Sequence, residues 1–231
     1  MSDIIDFSKA IESFVAITKE IHKKKQEKIN RGEFINVFCL WNEFSGITEP
    51  IHSRILHFFL SNNPMHGQGN LFLGLFLKRI GIDIQECDEW ISTAEIGRVD
   101  VMLKRIHPRS VVIIENKSNW AGDQENQLYR YWCENIHHCE EDCSEEYYKS
   151  HPEYKIVYLV PNMGKSISEN SLEKPKEFGD NLPLFLPLNP ITLSFEKDIV
   201  AWLTECINKL SPDNTPLINL ISQYKSYCKN L

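Results

Sequence analysis

The stretch RVDVMLKRIHPRSVVIIENKSNWAGDQENQLYRY, Arg98 to Tyr131, decides how the chain is read. From Arg98 to Lys104 residues alternate: Arg98, Asp100 and Met102 fall on one face of a strand, Val99, Val101 and Leu103 on the other. From Val111 to Lys117 the run is apolar on both faces until its end, as in a strand buried in mid-sheet. The RIHPRS between them holds a Pro that cannot continue a central strand, with polar residues suited to a turn. The two runs predict an antiparallel hairpin. If it is symmetric about His107–Pro108, Asp100 falls opposite Glu115, with Cβ atoms roughly 4.5–5.5 Å apart. Two carboxylates that close repel each other, and a divalent cation between them removes the cost. Lys117, two residues after Glu115, shares that face. Two readings stand side by side: two oxygen ligands for a hard metal with a cation beside them, or a Lys117 salt bridge that quiets one carboxylate.

After Lys117, Gly122 and Asp123 suit a helix start, with Asp123 as its N-cap. Gln127 and Tyr131 are four apart and share one helical face, which a helix beside the hairpin could present to a phosphate or base.

Asp100, Glu115-Asn116-Lys117 and Gln127-Leu-Tyr-Arg-Tyr131, in that order, resemble the PD-(D/E)XK nuclease superfamily. The Gln-x-x-x-Tyr element is similar to that of its exonuclease branch. Val99 stands where the superfamily's name has Pro, a position that carries no ligand. Upstream, Glu49-x-x-His52-Ser53, then His66-Gly67-Gln68-Gly69 and Phe72-Leu73, resemble a bacterial branch of the same superfamily. The resemblance spans roughly residues 33–231. It implies an α/β restriction-endonuclease-like fold, a mixed β-sheet with a central antiparallel hairpin flanked by helices. It also implies Mg²⁺- or Mn²⁺-dependent hydrolysis of phosphodiester bonds, in DNA, with a role in defence or repair. Asp100 and Glu115 would then hold the metal, and Glu49 would complete its shell. Lys117 would orient or help deprotonate the attacking water and stabilise the scissile phosphate. Gln127 and Tyr131 would position water or substrate. From another class comes a nuclease fold kept without catalysis, binding nucleic acid or a protein partner.

Some of these residues carry plainer readings too. Thr48 is a good N-cap and Pro50 is tolerated in a first turn, so Glu49 opens a helix. An acid there stabilises by about 0.3–1 kcal/mol through the helix dipole alone. Glu49, His52 and Ser53 form one polar face, and His52 is either structural or part of a site. His66 is expected to order its Gly-rich turn. Glu95 is a further acidic candidate, its facing left open by the turn at Gly97.

The 231 residues suffice for one sizeable core, and one domain is the expectation: an N-terminal helix in 1–32, a catalytic core in 33–160, and an excursion with closing helices in 161–231. A dedicated nucleic-acid coat would be basic, so the net charge of −7 argues against tight nonspecific binding. Arg98 to Tyr131 differs, with six Arg or Lys against four Asp or Glu, net +2. Seven cysteines without repeating spacing predict reduced thiols. An acidic start without an apolar core, and no apolar run near the roughly 20 residues of a membrane span, predict a cytoplasmic protein with no membrane partner. Cys133 to Glu146 is rich in Cys, His and acids but holds no Cys-x-x-Cys pair, so it reads as a solvated connection rather than a zinc site.

Elsewhere, Ile4, Phe7, Ile11, Phe14 and Ile21 predict an amphipathic helix over 3–28, packed on the core or on a partner. Short helices are expected at 33–46, after Thr48 and at 69–80. Strands are expected at 88–96 and Tyr154–Val160, with an edge strand in LPLFLPL. Helices are expected at Phe195–Leu210 and Thr215–Asn230.

Overall fold

The structure, a computed structural model, describes residues 2–63, 65–85, 88–137 and 142–231, with side chains from residue 11 onward. It divides into two compact units, Met1–Phe44 and Ser45–Leu231. The first holds α1 (Ser2–Asn30) and nearly all of α2 (Val37–Ser45). α2 starts where the Asn36 side chain accepts from the Phe38 and Cys39 N–H groups. It ends before Gly46, whose φ of +73° is the left-handed conformation that closes many helices.

The second unit is built on a five-stranded sheet in the order β1 (Trp90–Ile96), β2 (Val99–Arg105), β3 (Ser110–Asn116), β4 (Tyr154–Val160) and β5 (Ile191–Ser194). β1 to β3 are antiparallel, and β3 to β5 parallel. This is the mixed sheet expected, with β3 at its centre and every β3 residue buried. The β2–β3 register runs from Val101↔Ile114 to Arg105↔Ser110 and is symmetric about His107–Pro108. The strand at Tyr154–Val160 has the predicted bounds. The edge strand does not. LPLFLPL supplies only an isolated bridge, Glu173↔Phe185, and β5 lies after it. The prolines in that segment remove N–H donors that a strand ladder needs.

Helices cover both faces. Val111 and Ile113 share a core cluster with Leu128, Tyr129, Trp132, Ile156 and Tyr158, on the side of α5 (Gln127–Tyr131). On the other side lies α3 (Glu49–Leu60), fastened by His57 Nδ1 to Ser92 Oγ at 2.8 Å and by Asn116 Nδ2 to Glu49 O at 2.8 Å. α4 (Leu71–Arg79), α6 (Glu145–Ser150), α7 (Glu169–Leu172), α8 (Val200–Lys209) and α9 (Thr215–Cys228) complete the unit. A π-helical turn, Phe195–Ile199, precedes α8. Among the described residues no helix is long and apolar enough to cross a membrane.

Trp202 of α8 is fully buried, donates from Nε1 to Phe72 O at 2.9 Å, and meets Phe59 and Phe76 edge-on. Trp202→Ala leaves a cavity and removes that hydrogen bond. It should lower unfolding free energy by about 3–5 kcal/mol, read as an earlier urea midpoint; a loss under about 1 kcal/mol would mean the helices repack without it.

Candidate active site

The hairpin ends opposite its turn bear the residues singled out in the sequence. One step beyond Val101↔Ile114 the register reaches Asp100 and Glu115, and alternation keeps Glu115 and Lys117 on one face. Asp100, Glu115, Lys117, Gln127, Tyr131 and Glu49 all line one cavity of about 450 Å³, together with Arg98, Ala121, Gly122 and Gln124. Every site residue expected from the sequence is therefore in one place.

The polar contacts are dense. Lys117 Nζ lies 2.7 Å from Glu115 Oε1, both side chains almost wholly buried. It also donates to Gln127 Oε1 at 3.2 Å and approaches Asp123 Oδ1 at 3.8 Å. Gln127 Nε2 donates to Glu115 Oε1 and to the Tyr131 hydroxyl, each at 2.9 Å. Tyr131 in turn donates to Arg98 O at 2.6 Å. Asp100 Oδ2 accepts the Asn116 N–H at 2.6 Å. The salt bridge foreseen as one reading of Lys117 thus exists, and it occupies only one oxygen of Glu115. Glu115 Oε2 is buried without a hydrogen-bond partner.

The electrostatics follow from burial. Desolvation first, and the nearby Glu115 charge second, push Asp100 up to about 8, against the pull of the Asn116 N–H. Desolvation also raises Glu115, although Lys117 acts in the opposite direction. Burial and the charge of Glu115 raise the Tyr131 hydroxyl above its ordinary range. A chelated sample should therefore lose stability as pH rises from about 6.5 to about 8, above the range in which His52, lowered to about 4 by burial, acts in the opposite sense. In that window the unfolded Asp100 has ionised while the folded one still holds its proton, so unfolding releases a proton. The slope approaches about 1.4 kcal/mol per pH unit for one such group. Urea melts across that range with a chelator present test this; a profile rising toward pH 8 would contradict it.

Glu49 is the first residue of α3, half-buried. Thr48 caps with its backbone rather than its hydroxyl. The Glu49 carboxylate turns to the loop after β3, where Oε1 accepts from the Asn119 and Ala121 N–H groups at 3.1 and 3.4 Å. Among the described residues, no three or more His, Cys, Asp or Glu gather as a finished metal cage. Asp100 and Glu115 alone still suit a hard cation. Mg²⁺ keeps several waters and takes one or two carboxylates, and a buried carboxylate oxygen with no partner is what such an ion satisfies.

Other residues depart from the sequence reading. Asp123 is not the N-cap of α5; Asn126, with φ +57°, holds that place. Asp123 accepts from the Tyr158 hydroxyl at 2.6 Å and from Ser168 N and Oγ at 2.8 Å. Burial alone would raise it, but these donors and Lys117 hold it below the usual carboxylate range. His52 faces the core: Nδ1 lies 2.9 Å from the Tyr224 hydroxyl, the ring stacks on Tyr227, and burial lowers it to about 4. His66 orders its turn, with Nε2 on Ser61 O and Nδ1 accepting from Gln68 N. Glu95 is exposed at φ +59° but close enough to raise Asp100. His138, Cys139, Glu140 and Glu141, considered for zinc, lie outside the described residues.

Asn116 went unread in the sequence. Its side chain donates to Glu49 O and Ser53 Oγ and accepts from Ser118 N, tying α3 to the end of β3. Its place between two residues of the site face already turned it toward the opposite face.

A family model described as the PD-(D/E)XK nuclease superfamily matches residues 35–226. The chain belongs to that superfamily. No curated protein and no solved structure matches it. In this PD-(D/E)XK member, Asp100, Glu115 and Lys117, the residues read as its motif in the sequence, stand together at one end of the central hairpin. The restriction-endonuclease-like sheet and its flanking helices agree with that membership.

Proposed function

We propose that this chain is a Mg²⁺- or Mn²⁺-dependent nuclease that hydrolyses phosphodiester bonds in DNA, acting in the cytoplasm in defence or repair. The observation that carries the reading is the buried Glu115, one oxygen unpartnered, set against the half-buried Asp100 and beside a buried Lys117. Asp100 and Glu115 would hold the cation, and Glu49 would complete its shell. The cation supplies, when bound, charge neutralisation at the scissile phosphate and a more acidic water. Lys117, itself buried, sets a fixed positive charge where the phosphate gains negative charge. Gln127 braces both Glu115 and Lys117, and Tyr131 braces Gln127, so the α5 pair keeps the acid and the cation in register. Asp123 anchors the segment between Lys117 and Gln127.

The test is a digestion panel of linear, circular and single-stranded DNA and RNA with Mg²⁺, Mn²⁺ or chelator, run beside melting curves. Cleavage only with metal, and a metal-dependent rise in melting temperature, is expected. No metal-dependent shift and no cleavage would favour a binding module; cleavage of RNA alone would correct the substrate.

A further inference from the structure

α1 is 29 residues long, and its described apolar side chains, from residue 11 onward, face solvent: Phe14 is 70% exposed, Ile21 60%, Ile17 57% and Ile11 50%. A helix gains most of its stability from burying an apolar face, so one this long with that face bare lacks its counterpart. The spacing says what fits. Ile4, Phe7, Ile11, Phe14 and Ile21 occupy the a and d positions of a heptad, interrupted only by Thr18. Val15 and Ile17 stand at the e and g positions beside that seam.

Charge says how the counterpart lies. Residues 2–12 hold Asp3, Asp6 and Glu12 against Lys9, net −2. Residues 13–30 hold Lys19, Lys23, Lys24, Lys25 and Lys28 against Glu20 and Glu27, net +3. A parallel pair of such helices sets like charge on like; an antiparallel pair sets acidic end on basic end. Flanking charges fix partner and orientation in coiled coils.

We propose that α1 pairs antiparallel with α1 of a second copy of this chain, in the register that sets Ile11 of each copy against Phe14 of the other. The same register sets Ile4 against Ile21 and Phe7 against Thr18, so from residue 4 to 21 each a position meets a d position. The flanks agree with it. Asp3 and Lys24 both occupy g positions and stand beside the same layer in opposite copies. The surface is self-complementary, as an isologous dimer requires.

Sedimentation velocity of the full chain should give a mass twice the 27.0 kDa of the polypeptide. Phe14→Asp, which puts a charge into the seam, should return it to 27.0 kDa. Lys24→Glu should raise the dissociation constant about tenfold by setting like charges beside Asp3, and adding Asp3→Lys should restore it. In a parallel pair those two positions are not neighbours, and no rescue would follow. Lys24 is mostly exposed, so the charge pair carries the test even if Phe14→Asp fails to fold. A wild-type mass of 27.0 kDa at the highest soluble concentration, with α1 either bare or covered by its own chain, would overturn the proposal. So would a tetramer, or a dimer indifferent to both the seam and the charge variants.

Discussion

Lys117→Ala should lower cleavage by about 10²–10³, the usual cost of removing one charged donor aimed at developing charge. It should leave metal binding in place, because the amine ligates nothing. Its Nζ is 2.7 Å from Glu115 Oε1 and within reach of Gln127 and Asp123. Deleting one partner of a buried ion pair costs about 3–5 kcal/mol, and the chelated variant should melt earlier for that reason. The cost is softened because Glu115, already pushed up by burial, can take a proton. Added Mg²⁺ or Mn²⁺ should restore more stability than in the parent, since it replaces the lost cation. Metal affinity, melting and cleavage measured on one sample separate the two readings. Full activity per folded molecule in a less stable variant would leave Lys117 as a salt-bridge residue only.

Glu115→Ala should abolish cleavage and the metal-dependent melting shift together. In the parent that shift is worth about 2.7 kcal/mol when the ion is at a hundred times its dissociation constant. The variant removes the carboxylate whose Oε2 has no protein partner, leaving Asp100 as the only carboxylate of the pair. Calorimetric titration of Mn²⁺ into both proteins reads the affinity directly. Unchanged binding with cleavage lost would move the metal to Asp100 and Glu49 and assign Glu115 another task.

The hairpin was legible because its information is local. A turn at His107–Pro108 and alternation on either side set the register that brings Asp100 to Glu115, and the β4 bounds came from an unbroken apolar run. Asp123 was misread because its partners, Tyr158 and Ser168, lie 35 and 45 residues away. A good N-cap residue type looks the same in sequence whether it caps a helix or binds a distant tyrosine. His52 was ambiguous for a related reason. Spacing placed it beside Glu49 on one helix face, but only the packing of Phe195, Tyr224 and Tyr227 puts the ring in the core. The β5 strand is four residues long and leaves little periodicity to read.

The candidate site and the hairpin's turn lie at opposite ends of the same two strands. From Asp100 to Arg105 the strand advances about 17 Å, and Ile106 beyond it is exposed. The turn is therefore insulated from the pocket. Added residues between Ile106 and His107 would lengthen a loop, at a cost that grows only with the logarithm of its length, and would leave the pairing of Val101 with Ile114 unchanged. That makes the turn the natural graft point on this scaffold: an epitope or fluorophore there would travel with the sheet and stay out of the cleft.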